Sequence, residues 1–93
     1  MARTITLRVL THEGLVVEDE TVAAMAHGEI GYLGMLANHA PLVTTLQPGK
    51  LTWCRSTGEQ RTLLIGAGVL EIARNQLTVL TDSISEPPPA ASV

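Results

Sequence analysis

Phenylalanine is absent, and Tyr32 and Trp53 are the chain's only aromatic residues, so no series of rings exists on which bases could stack. Cationic residues are almost as scarce. Six lysines and arginines lie scattered singly in a chain of formal net charge −3, which leaves no basic stripe to neutralise phosphates and sets nucleic acid aside as a partner. With one cysteine, Cys54, no intramolecular disulfide can form, so a disulfide-stapled secreted scaffold is excluded and Cys54 reads as a packing residue. No apolar run approaches the ~18 residues that cross a bilayer, and Met1-Ala2-Arg3-Thr4 lacks the apolar core of a signal peptide.

Catalytic patterns are missing too. His12, His27 and His39 include no His-x-His pair that would aim two imidazoles from one strand at a metal, as cupin-like barrels do. No Gly-x-Ser-x-Gly elbow surrounds a serine, and Cys54 has no base beside it. Gly66-Ala67-Gly68 is too short for a phosphate loop and is followed by no helix start. The expectation is a protein without a catalytic site, metal or cofactor.

What is present is alternation. Ile5, Leu7 and Val9 alternate with Thr4, Thr6 and Arg8, the period-two pattern of a half-buried strand. Turn residues follow at 11–14, then a short strand over Leu15–Val17, a solvated acidic loop at Glu18-Asp19-Glu20, and a further strand over Thr21–Ala26. Beyond residue 41, Leu42, Thr44 and Leu46 alternate with Val43 and Thr45 until Pro48-Gly49 turns the chain. Leu51 and Trp53 share one face of the next strand, Thr57–Gln60 makes a hairpin turn, and Arg61–Ile65 returns. Val69–Ile72 and Leu77–Thr81 form the last hairpin, with Asn75 suited to the left-handed turn position.

The pattern predicts an all-β protein, an antiparallel β-sandwich of about ten short strands, with Leu7, Val9, Leu51, Trp53, Leu64 and Val79 in its core. Ninety-three residues, 45% of them apolar, suit one domain, placed at 1–84. The remaining 85–93 contains Pro87-Pro88-Pro89, which cannot join a ladder, and reads as an extended or disordered tail.

The most closely specified stretch runs from Gly31 to Leu42. Its glycines, Asn38-His39 and Pro41 interrupt an apolar run, and it reads as one long shaped loop presenting a surface, with Leu33, Met35, Leu36 and Leu42 either displayed or buried. Gly31-x-x-Gly34-x-Leu36-x-Asn38-His39-Ala40-Pro41-Leu42, followed by Leu46-Gln47-Pro48-Gly49, resembles the N-terminal β-sandwich domain of the epsilon subunit of F-type ATP synthases. Leu7–Thr11, Gly68–Ile72 and Asn75–Asp82 are similar to that family's opening and closing strands, so the resemblance covers residues 5–84.

The resemblance implies a non-catalytic subunit of the rotating central stalk, linking the gamma subunit to the loops of the membrane c-ring and, through the complex, to the alpha/beta head. It implies a peripheral position on the cytoplasmic face of a bacterial plasma membrane. Carried over by position, Thr11, His39 and Thr44 would face gamma, and Glu29, Ile30, Gly31 and Tyr32 would face the c-ring. Gly34, Asn38, Pro41, Gly49 and Gly68 would shape loops and turns. Ala37 stands where the family often has proline, Ala67 where a glycine pair is usual, and Tyr32 where an acidic residue often meets basic loops. The family's two C-terminal helices have no counterpart in this sequence, so the inhibitory arm is expected to be missing. The rival reading is a free-standing sandwich that binds a sugar or other small ligand, although Tyr32 is the one exposed aromatic candidate for such a site.

Overall fold

A computed structural model describes residues 3–29 and 31–86. Nine strands form one continuous hydrogen-bonded sheet, and no helix occurs among the described residues. In chain order they are β1 (Ile5–Thr11), β2 (Gly14–Gly28), β3 (Gly31–Leu36), β4 (Leu42–Leu46), β5 (Gly49–Arg55), β6 (Gln60–Ile65), β7 (Gly68–Ala73), β8 (Gln76–Thr81) and β9 (Ile84–Ser85). The sheet doubles over because β2 belongs to both halves. Its first half pairs with β1, from Thr11↔Gly14 to Ile5↔Thr21, whereas its second half pairs with β3 and β5. One layer is therefore β4-β7-β8-β1 with the start of β2, and the other is the end of β2 with β3, β5, β6 and β9.

The core lies between the layers. Ile5, Leu7 and Val9 of β1, Leu70 and Ile72 of β7, and Leu77 and Val79 of β8 meet Ala24, Met35, Leu51, Trp53, Leu63 and Ile65 from the opposite layer. Period-two alternation puts them there, since each strand sends every second side chain inward.

The all-β sandwich is borne out, with differences in detail. The pairing is not wholly antiparallel: β1 and β8 run parallel, Thr6↔Gln76 to Leu10↔Leu80, while each is antiparallel to its other neighbour, β2 and β7 respectively. Glu18-Asp19-Glu20 is no loop but the middle of the 15-residue β2. Its carboxylates are held by partners the sequence places far away. The Arg8 Nε donates to Glu18 at 2.6 Å, Thr4 and Thr6 hydroxyls donate to Glu20, and the Trp53 indole N–H donates to Asp19 at 2.8 Å.

The long loop expected from Gly31 to Leu42 is also shorter than expected, because Gly31–Leu36 pairs with Gly28–Ala23 as a strand and only residues 37–41 connect. Met35 is buried there, while Leu36 points to solvent. Leu64 does not join the core; Leu63 and Ile65 do. Both faces of that stretch are apolar, so alternation could not choose between them. Residues 87–93 of the expected tail lie outside the described residues, and Ser85 forms the end of β9 against Leu64.

Candidate partner-binding surface

The β2–β3 hairpin builds the first part of the surface. Gly28 and Gly31 close it, and Gly31 has φ +132°, a conformation a side chain strains. A Cβ on Gly28 would press on the Leu33 side chain and the Gly31 carbonyl oxygen, so the tight closure needs glycine there as well. Just behind the tip, His27 and Tyr32 stand opposite each other and stack, their centroids 4.8 Å apart and their planes 17° from parallel. Gly49 allows this, because a Cβ there would meet the His27 ring at 3.2 Å.

Tyr32 is 69% exposed, so one ring face leans on His27 while much of the rest meets solvent. Glu29 is exposed at the turn, where its carboxylate accepts a hydrogen bond from the Thr45 hydroxyl at 2.9 Å. The tip is thus an ordered aromatic pair beside an anchored carboxylate. Ile30, expected in the same group, lies outside the described residues. His27 was not singled out from the sequence, where it reads as a surface histidine. Once the Gly28↔Gly31 closure is recognised, however, residues 27 and 32 must face each other.

His39 sits at the other end of β4. Asn38 adopts a left-handed conformation (φ 68°), and its backbone N–H donates to the Asn75 side chain at 2.6 Å, tying the 37–41 connection to the β7–β8 turn. The His39 Nδ1 donates to the Ala40 carbonyl at 2.6 Å, which fixes the ring and leaves Nε2 as the acceptor of the neutral form. Pro41 is exposed at the entry to β4. Thr11 ends β1 at the opposite end of the layer, with its hydroxyl accepting from the Glu13 N–H.

Thr44 stands opposite Leu70, a fully buried residue, so its side chain lies on the inward side of β4 and is half-buried. The structure therefore does not bring Thr11, His39 and Thr44 into one cluster. Gly34 is exposed opposite Met25. Gly68 packs so closely on β8 that a Cβ would run into the Leu80 carbonyl oxygen.

What alternation alone did not single out is the outward side of the β4-β7-β8-β1 layer. Thr45, Val69, Leu80, Leu10 and Leu15 form one row across it, with Val43, Glu71, Thr78, Arg8 and Glu18 in the next. Val43 is 65% exposed and Leu80 51%, with Val69 and Leu15 exposed beside them. The signal was available in the runs Val69-Leu70 and Val79-Leu80, which are apolar on both faces, as strands covered on both sides are. Among the described residues no three histidine, cysteine or acidic side chains group as a metal site.

Comparison with known proteins bears on the family and the fold. Residues 4–87 match the family described as the ATP synthase delta/epsilon chain β-sandwich domain. The ATP synthase epsilon chain of Acidithiobacillus ferridurans is 42% identical over 83 residues, 89% of this chain and 58% of that one. The epsilon chain of Desulfosudis oleivorans is 40% identical over 84 residues, 89% of this chain and 62% of its own length. The chain thus spans less than two thirds of these relatives.

Among solved structures, a chain of the Euglena gracilis mitochondrial ATP synthase (OSCP/F1/c-ring) superposes with TM-score 0.86 at 19% identity, covering 92% of this chain and 55% of that one. A chain of the central stalk and c-ring of the Tetrahymena thermophila mitochondrial enzyme gives 0.73 at 16% identity, covering 88% and 66%. At such identities the superpositions speak for the fold, and the sequence match speaks for kinship: this chain belongs to the ATP synthase delta/epsilon chain β-sandwich family.

Proposed function

We propose that this chain is a non-catalytic subunit of a rotary ATP synthase, a stalk element that holds two partners at a fixed angle. The gamma subunit would cover the outward side of the β4-β7-β8-β1 layer, with Thr11 and His39 at its two ends and Thr44 supporting β4 from beneath. The c-ring loops would meet the hairpin tip at Glu29, Ile30, Gly31 and Tyr32. On this reading the chain would sit peripherally at the cytoplasmic face of a bacterial membrane, and gamma would link it to the alpha/beta head.

The observation that carries this reading is the exposed apolar set Val69, Leu80 and Leu15 in one row, with Val43 in the next, on a layer whose inner side packs the core. Apolar side chains left in water across four strands of a small domain favour a protein partner over that area. The tip offers different chemistry. The contact of Tyr32 would rest on buried area and a phenolic hydrogen bond, with a carboxylate supplied by Glu29.

Co-expression with the gamma subunit of the same organism tests the reading. The two chains are expected to co-elute, and Leu80→Lys to abolish co-elution while leaving the melting temperature within a few degrees. Tyr32→Ala should retain gamma but weaken retention of the c-ring by the assembled complex. Failure of the unaltered chain to co-elute with gamma would defeat the proposal.

A further inference from the structure

Strand sides with no neighbouring strand among the described residues occur along the first half of β2, β3, β4, β6 before it reaches β9, and the two-residue β9. An open strand side displays unpaired N–H and C=O groups and invites another strand, so stable proteins guard such sides with charge or proline. Apart from β3 these are guarded, β9 by being only two residues long. The first half of β2 carries Glu18, Asp19 and Glu20, β6 carries Arg61, and β4 is entered through Pro41. β3, Gly31-Tyr32-Leu33-Gly34-Met35-Leu36, holds no charge, no proline and no bulge in its register with β2.

Its outward side chains are apolar or absent: Tyr32 and Leu36 are 69% and 63% exposed, and Gly34 lies between them. The surface behind it continues the same chemistry through Met25, Ala23 and Cys54, which lie beside Gly34 and Leu36 in register and include no charged group.

We propose that β3 is a self-pairing edge: two copies of this chain join antiparallel, β3 to β3, about a two-fold axis at Gly34. In that register Gly34 faces its own copy, Tyr32 of each chain faces Leu36 of the other, and Leu33 faces Met35. Like meets like only at a glycine, and no two charges are opposed, so the strand is complementary to itself. A second copy fits better than a foreign strand because this symmetric register pairs each large outward side chain with a large one and extends both uncharged surfaces into one. The proposal stands without the stalk reading. Where both hold, the paired form and the ring-bound form exclude each other, since each uses Tyr32.

Sedimentation velocity on the full chain, from low-micromolar to near-millimolar concentration, should show the mass rising from 9.9 kDa towards twice that value. Leu36→Lys should hold it at the monomer with an unchanged circular dichroism spectrum. A second readout does not depend on that variant folding. In a Cys54→Ser background, Gly34→Cys has open space for its side chain and should oxidise to a disulfide-linked dimer, whereas Gln60→Cys on the β6 edge should not. A monomer at every concentration would overturn the proposal. So would a dimer indifferent to Leu36→Lys, or cross-linking at residue 60 in place of residue 34.

Discussion

Glu20 shows how a single side chain can lie on an exposed strand and still be specified. Two hydroxyls aim at its carboxylate, Thr4 first and then Thr6, and hold its pKa below the ordinary carboxylate range. A depressed carboxylate contributes stability above its unfolded pKa, and that contribution is lost as pH falls through the lower folded value. The contribution should therefore be intact at neutral pH and be lost only as the pH falls below about 4.3. Melting curves of the parent and Glu20→Gln are expected to differ at neutral pH and to converge as the pH drops through that window. A difference constant with pH would mean that the hydroxyls do not favour the ionised form.

Gly68 is specified by the opposite means, a lack of room. Gly68→Ala must push β7 from β8, because the obstacle is the Leu80 backbone and not a movable side chain. A loss of about 1–3 kcal/mol in urea unfolding is expected, and a neutral result would show that the two strands separate easily.

At the scale of elements, the turn between β7 and β8 carries a correctable strain. Arg74 and Asn75 both have positive φ, 54° and 60°, the arrangement of a two-residue hairpin that favours Asn-Gly or Gly-Gly. Asn75 also holds Asn38, so Arg74 is the position to relieve. Arg74→Gly is expected to raise stability by about 0.5–1 kcal/mol, seen as a higher midpoint at unchanged slope.

Elements were also where sequence reading succeeded and failed most clearly. The strands around Leu7, Trp53 and Val79 were legible because one side of each is core and the other polar. β2 was not, because its three consecutive acids look like a solvated loop until Arg8, Thr4, Thr6 and Trp53 are brought beside them. β3 was hidden by glycines that close a hairpin at Gly31 and lie flat in a strand at Gly34. His27 escaped notice because its partner, Tyr32, is found only through the register. The outward apolar band escaped because alternation searches for one apolar face and that layer has two.

Considered whole, the molecule has one core shared by both layers, and Leu7 lies fully buried within it. Leu7→Ala is expected to cost about 2–5 kcal/mol and to lower one cooperative transition, with fluorescence of Trp53 and far-ultraviolet circular dichroism moving together. Separate transitions by the two probes would mean that the layers unfold independently.

β2 makes such independence unlike this architecture. In many sandwiches two sheets face each other across side chains alone and can slide as greasy plates do. Here one covalent chain is a member of both, turning at Thr21, which pairs with Ile5 in one layer and Arg55 in the other. The Asp19 carboxylate, gripped by Trp53 and Arg55, pins that corner from the side. A load applied at the β4-β7-β8-β1 layer and resisted at the hairpin tip would run along this strand as tension in peptide bonds, as a spar carries load through a wing. Stiffness would then be set by a backbone that does not creep rather than by oily contacts that do.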